Sequence, residues 1–321
     1  MQLPRHSRSA DRGFARDGTA GQHPLWRVRH QPDYLGGVQE LPALAAVCRA
    51  QDVPLLVDNA HGAYLRFLPQ NCHPIAQGAA MCCDSAHKTL PVVTGGAYLH
   101  LAHDAPVQDE AAVRGALALF GSTSPSYLIL QSLDACNAVL AGDYPRRLVQ
   151  CCVALEGLRR SLNKAAAARQ CPVPLAVAGA QQEPMKLTLD AAALGCTGTA
   201  LADALRRAQL ECEYADPRYV VLMFTPENPP QDFERLQTAL EQLPGCRARR
   251  TAPPREPAGE FAALQQQAVQ RCTIRQAVLG AQVRVPVHKA LGRVCAMPTV
   301  SCPPAILWRS AARRSLRRPS S

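Results

Sequence analysis

Two short apolar runs, each ending in a chemically loaded residue, constrain this chain more than any other feature. The first, Val53 to Val57, stops at Asp58 and gives way to small residues. The second, Ala79 to Cys83, is followed by Asp84, Ser85, Ala86, His87 and Lys88. Runs of this length between small or polar residues read as buried parallel strands. Open α/β sheets bind ligands outside the carboxyl ends of such strands, so Asp58 and Lys88 fall where a ligand would sit. The expected fold class is α/β, a mostly parallel sheet with helices followed by a small α+β domain. A lysine just past a buried strand carries a desolvation cost that only a chemical role justifies.

The residue types fit one chemistry. A lysine attacks a carbonyl only as the free amine, so its pKa must fall through desolvation or neighbouring positive charge; Lys88 follows an apolar strand and sits beside His87. A buried carboxylate at a strand end can keep a pyridine nitrogen protonated by a charge-assisted hydrogen bond, a role expected of a desolvated Asp58. Ser85 and His87 offer hydroxyl and imidazole groups to a phosphate. Each residue alone has a plainer reading: Asp58 as a turn former or helix cap, His61 as a satisfied surface or core histidine, Lys88 as a solvated charge. Together they are the set that an enzyme using pyridoxal 5'-phosphate requires.

The stretch from Asp58 to Leu90 resembles the Orn/Lys/Arg decarboxylase family of fold type I pyridoxal phosphate enzymes, in which Asp-x-Ala-His precedes Ser-x-His-Lys. The resemblance continues through TGGAYLHL (94–101) and GSTSPSYLILQSLDA (121–135) and more faintly to SCPPAI (301–306), covering roughly residues 32–306. It implies that Lys88 is the Schiff-base lysine and Asp58 the partner of the pyridine nitrogen. It further implies that Ala60 lies against the ring, His61 lines the substrate side, and Ser85 and His87 position phosphate or lysine. In such dimers a Ser-Pro turn can reach the neighbouring subunit's phosphate, which makes Ser122, Thr123 and Ser124 candidates for a site completed across an interface. The alternative for that turn is capping of a helix that begins near Tyr127. The implied activity is decarboxylation of arginine, lysine or ornithine, of the kind that serves polyamine biosynthesis, by a homo-oligomer. Another fold type I reaction, transamination or aldol cleavage, shares the same cofactor and lysine, and a noncatalytic remnant is the third reading.

Composition narrows the setting. A chain of 321 residues with 47% hydrophobic content can bury a sizeable core. Its longest apolar stretches, such as Tyr219 to Phe224, fall far short of a membrane span, and the start has basic residues without an apolar segment, unlike a secretory signal. The fourteen cysteines include no C-x-x-C pair and read as small core residues in a reducing cytoplasm. Cys83 and His87 could be drawn as a metal pair, but no metal is expected. Of the net charge of +10, residues 1–30 hold +4 (six Arg, two Asp) and residues 308–321 hold +5 (five Arg), leaving +1 for the rest. Basic tails without a groove of interleaved aromatics argue against specific nucleic-acid binding.

The expected organisation is a disordered or non-native leader over 1–30, the carboxyl-terminal part of a cofactor-binding domain over 31–144, and a bridging helix with the small domain over 145–246. A linker and carboxyl-terminal region occupy 247–307, with a Pro/Arg linker at 247–257 and a helix near 258–270, and a basic tail follows. Within these, Val38 to Arg49 has helical periodicity, Tyr98 to Leu101 reads as a strand, and 126–141 and 145–168 read as long helices. The order strand 185–190, helix 197–209, strands within 212–224 and helix 230–243 suggests a ferredoxin-like layer. The Arg/Ser-rich ends look like translation in a shifted frame, and a chain missing the region that stacks on the cofactor should bind pyridoxal phosphate weakly or not at all.

Overall fold

The computed structural model describes residues 25–179, 181–243, 270–290 and 292–296. Strand β1 (Arg27–His30) opens the larger sheet. It runs parallel to β2 (Leu55–Asp58), with Arg27 opposite Leu55 and His30 opposite Asp58. Between them lies helix α1 (Leu41–Ala50), whose buried Leu41, Ala45 and Cys48 recur at helical spacing. It closes a small core with Leu55, Val57, Ala79 and Cys82. Strand β3 (Met81–Asp84) is parallel to β2, and β4 (Tyr98–Leu101) adds an antiparallel edge, giving the order β1-β2-β3-β4. The short helix α2 (Ala86–Thr89) leaves directly from the end of β3.

Three longer helices follow. Helix α3 (Glu110–Ala118) is capped by Asp109, whose side chain accepts from the Ala111 amide, and none of its residues is buried. Helix α4 (Tyr127–Ala141) buries only Cys136. Helix α5 (Tyr144–Ala168) carries a stripe of Tyr144, Leu148, Cys151, Leu155, Leu158, Leu162 and Ala166, all buried, at the three- and four-residue spacing of one helical face. This stripe is the backbone of the main core, which runs from Tyr64 and Leu90 under the large sheet to Leu187, Val220 and Leu236 in the smaller layer.

That layer consists of β5 (Lys186–Asp190), helix α6 (Gly198–Arg207), the two-residue β6 (Tyr214–Ala215), β7 (Tyr219–Met223) and helix α7 (Pro230–Gln242). The sheet is antiparallel in the order β5-β7-β6, in agreement with the expected β-α-β-β-α pattern. Thr197 caps α6 by accepting from the Ala200 amide at 3.2 Å. A last short helix, α8 (Ile274–Leu279), begins with a reciprocal capping box between Thr273 and Gln276.

Segment 33–37 joins the two sheets. Gly36 accepts from the Glu183 amide (2.8 Å), and the Val38 amide donates to Gln181 (2.8 Å). Lys186 Nζ donates to the Asp33 carbonyl and Thr188 Oγ1 to the Leu35 carbonyl, each at 2.8 Å. Gly36 has φ of +86°, a conformation that L side chains rarely adopt.

Three expectations need correction. Of the segment read as a non-native leader, residues 1–24 lie outside the described residues, and Arg27–His30 form the paired strand β1, whose alternating half-buried and exposed residues give no apolar run to notice. The helix expected from Val38 starts at Leu41, with Pro42 in its first turn, because Val38 is already bonded to the smaller layer. Lys88 and Asp58, expected to be desolvated, are both exposed in this chain. The linker at 247–257, the helix expected near 258–270, SCPPAI and the basic tail lie outside the described residues, apart from Gln270.

Candidate active site

The ends of β1, β2 and β3 converge on one group of side chains. Asp58 closes β2. Its Oδ1 accepts from the Ala60 amide at 3.2 Å and its Oδ2 lies 3.3 Å from His30 Nδ1. The carboxylate thus makes the turn contact of the plainer reading while keeping 55% of its side-chain surface open. Ala60, next along, is buried.

Helix α2 presents His87 and Lys88. His87 Nδ1 donates to the Gly96 carbonyl at 2.9 Å, which fixes the orientation of its ring. Lys88 Nζ lies 3.4 Å from Nε2 of His61. His61 is buried, and among the described residues its Nδ1 has no hydrogen-bond partner. Burial, aided by the charges of Lys186 and Lys88, pulls its pKa down to about 3, so the ring is neutral at physiological pH. The edge of Tyr34 packs on it with ring centroids 5.4 Å apart. Tyr34 in turn donates to Glu213 at 2.9 Å, and burial together with that carboxylate pushes its phenol up to about 12.

Behind His61 lies a small cavity lined by Tyr64, Thr89, Tyr144, Glu183 and Lys186 among others. Tyr64 donates to the buried Glu183 carboxylate, which also accepts from the Met185 amide at 2.8 Å. Burial raises the Glu183 pKa and lowers that of Lys186. On the other side of β2, Asp84 is buried with three donors: Asn59 Nδ2 at 2.7 Å on Oδ1, and His73 Nε2 and His100 Nε2, each at 3.0 Å, on Oδ2. Burial alone would raise the Asp84 pKa, but the bonds from His100, His73 and Asn59 outweigh it and hold the carboxyl below its usual range.

The structure therefore brings Asp58, Ala60, His61, Ser85, His87 and Lys88 to one sheet edge. It does not bring Ser122, Thr123 and Ser124 there: they form an exposed turn between α3 and α4, and among the described residues none bonds to the Lys88 group. The cap of α4 is Ser126, without a side-chain bond, so capping does not explain that turn. Sequence reading missed His30, Tyr34, Glu183 and the Asp84 network. The reading of cysteines as small core residues holds in part: among the described residues, Cys48, Cys82, Cys136 and Cys151 are buried.

The two sheets, their order and the strand-end lysine define the architecture as a partial fold type I domain followed by its small α+β layer. The profile of the Orn/Lys/Arg decarboxylase major domain matches residues 15–182, just over half of the chain, and the chain belongs to that family. The match starts well before Gln31, which corrects the expectation that the resemblance begins at about 32. Similar curated proteins include arginine decarboxylase of Bacillus subtilis (strain 168), 29% identical over 220 residues, which are 66% of this chain and 44% of the relative. Another is the uncharacterized protein YaaO of the same organism, 33% identical over 203 residues, 61% of this chain and 40% of the relative. The chain thus spans less than half the length of these relatives. Among solved structures, the Francisella novicida lysine decarboxylase LdcF aligns with a TM-score of 0.70 at 16% identity, covering 97% of this chain and 54% of that one. The Escherichia coli constitutive lysine decarboxylase gives 0.69 at 16% identity, with coverages of 98% and 56%. Among the described residues no helix is long and apolar enough to cross a membrane.

Proposed function

We propose that this chain carries the lysine-bearing wall of a pyridoxal 5'-phosphate-dependent decarboxylase acting on arginine, lysine or ornithine. The observation that carries the reading is the meeting of Lys88 Nζ with the buried, neutral His61, at the same sheet edge as the open carboxylate of Asp58. The residues present fit the cofactor: an accessible amine for its aldehyde, an open carboxylate for its ring nitrogen, and hydroxyl and imidazole groups at Ser85 and His87 for its phosphate. The His61 ring, with a buried nitrogen left unpartnered, marks a place built for more than packing.

When bound, pyridoxal phosphate supplies the electron sink that decarboxylation needs. Asp58 holds the proton on the ring nitrogen by a charge-assisted hydrogen bond. Ala60, short and buried, leaves room for the flat ring. Lys88 is the covalent attachment point, and His61, uncharged beside Nζ, lines the substrate side and orients the amine without adding charge. Ser122, Thr123 and Ser124 serve the phosphate of a neighbouring subunit. Their turn is flanked by Leu119, Phe120, Tyr127 and Leu128, all strongly exposed, as expected of surface that another subunit covers. The setting is a reducing cytoplasm.

The test is the absorbance of the purified protein with pyridoxal phosphate. A band from the lysine adduct that shifts on adding arginine, lysine or ornithine supports the reading and selects the substrate. A band that responds to none of them, but does respond to other amino acids, would move the chain to a different fold type I reaction.

A further inference from the structure

We infer that Asp84 is a positioning residue for the cofactor site: through Asn59 it fixes the turn on which Asp58 and Ala60 stand, and His73 and His100 aim it. The inference rests on the cofactor reading above and deepens it.

Asn59 sits between the proposed ring-nitrogen partner and the proposed ring contact, and it is fully buried. Its amide donates to the Cys83 carbonyl at 2.9 Å and its carbonyl accepts from the Gly62 amide at 2.8 Å. Its side chain donates to Asp84 Oδ1 at 2.7 Å. Any side chain at Gly62 would collide with Asn59, since a Cβ there would lie 2.0 Å from Asn59 Oδ1. Residue 59 is therefore clamped through main chain and side chain, and the peptide planes on both sides of it are fixed. Those planes set the direction of the Asp58 carboxylate and present the Ala60 amide that it accepts from.

Asp84 holds Asn59 most firmly when it stays ionised and does not rotate. A buried carboxylate is costly without donors, and here both oxygens are engaged. The Ile75 amide points at His73 Nδ1 from 3.4 Å, which puts the ring proton on Nε2, facing Asp84. This is the arrangement of a hydrogen-bonded orienting network, with β4 contributing His100 and the loop before β3 contributing His73. The logic is that of partners that orient a ligating group from behind, which contribute about 10–100-fold in metal sites.

The experiment compares pyridoxal phosphate with its analogue carrying carbon in place of the ring nitrogen, titrated into the full chain and read as lysine-adduct absorbance. The wild type should prefer the natural cofactor, and Asp58→Ala should erase the preference. Asp84→Ala and Asn59→Ala should each cut it by about tenfold or more, and the double variant should lose no more than either alone, because both act through one contact. His100→Leu removes one donor from a half-exposed position and should give a smaller loss in the same ratio, which tests the inference even if the Asp84 variant folds poorly. Equal weakening toward both ligands, with the ratio preserved in all three variants, would reduce Asp84 to a structural role and overturn the inference. A wild type that forms the adduct with neither aldehyde would instead overturn the cofactor reading, and the inference with it.

Discussion

Lys88 and His61 stand 27 positions apart in sequence, at the ends of different strands, yet Nζ of one lies 3.4 Å from Nε2 of the other. The pairing joins an exposed amine to a buried ring that stays neutral. An amine so placed reaches a ligand from solvent while a neutral imidazole orients it from beneath.

Borohydride reduction in the presence of pyridoxal phosphate, followed by peptide mapping, should place the pyridoxyl group on Lys88. Recovery on Lys164, Lys186 or Lys289 would reassign the site. Lys88→Ala should leave stability within about 0.5 kcal/mol of the parent, as for other exposed positions, while abolishing the adduct.

Asp58→Asn should lower turnover by roughly 10²–10³, the cost of removing one preorganised electrostatic contact. The amide keeps the shape and can still accept from Ala60, so denaturation midpoints should barely move. Unchanged turnover would leave Asp58 as a turn former only.

His61 makes stability depend on pH. Its folded-state pKa is depressed, from 6.5 to about 3, so above about 6.5 both states hold it neutral and it has no effect. As pH falls below that, the unfolded chain takes up a proton that the folded chain refuses, and stability declines by up to about 1.4 kcal/mol per pH unit until the folded pKa is reached. Urea unfolding between pH 7.5 and 4.5 should show this decline, and His61→Gln should flatten it. The same slope in the variant would assign the loss to other groups.

Two glycines should respond in opposite ways to alanine. At Gly157, inside α5, a Cβ meets nothing within 4 Å, so Gly157→Ala should stabilise by about 0.5–1 kcal/mol through helix propensity. At Gly198 a Cβ would lie 2.3 Å from the Asp216 carbonyl oxygen and 2.6 Å from that of Tyr219. Both neighbours are backbone, so Gly198→Ala should lower the thermal midpoint. Midpoints that move the same way in both variants would refute this account of the packing.

The parts of the fold that sequence made legible are those written locally. The runs before Asp58 and Lys88 announce their strands by apolar content and their ends by abrupt small or polar residues, and the stripe of α5 repeats over 25 residues. Strand β1 is written in RVRH, whose charged residues leave no apolar signal, and its identity comes from pairing with β2. The site divides in the same way. Asp58 and Lys88 carry a local pattern, whereas Tyr64 meets Glu183 across 119 positions and Asn59 meets Asp84 across 25, contacts that no spacing rule reaches. The exposure of Lys88 was equally hidden, since a strand end says nothing about what stands above it.

Segment 33–37 gives the chain a property that its linear order conceals. Residues near the start of the described chain are bonded to residues 181–188, on the far side of α3, α4 and α5. A protease that nicked the open turn at 121–125 would therefore cut the polypeptide without separating its halves, because each would still carry its share of the seam. Two pieces expressed separately on either side of that turn have, in these bonds, a ready means of finding each other.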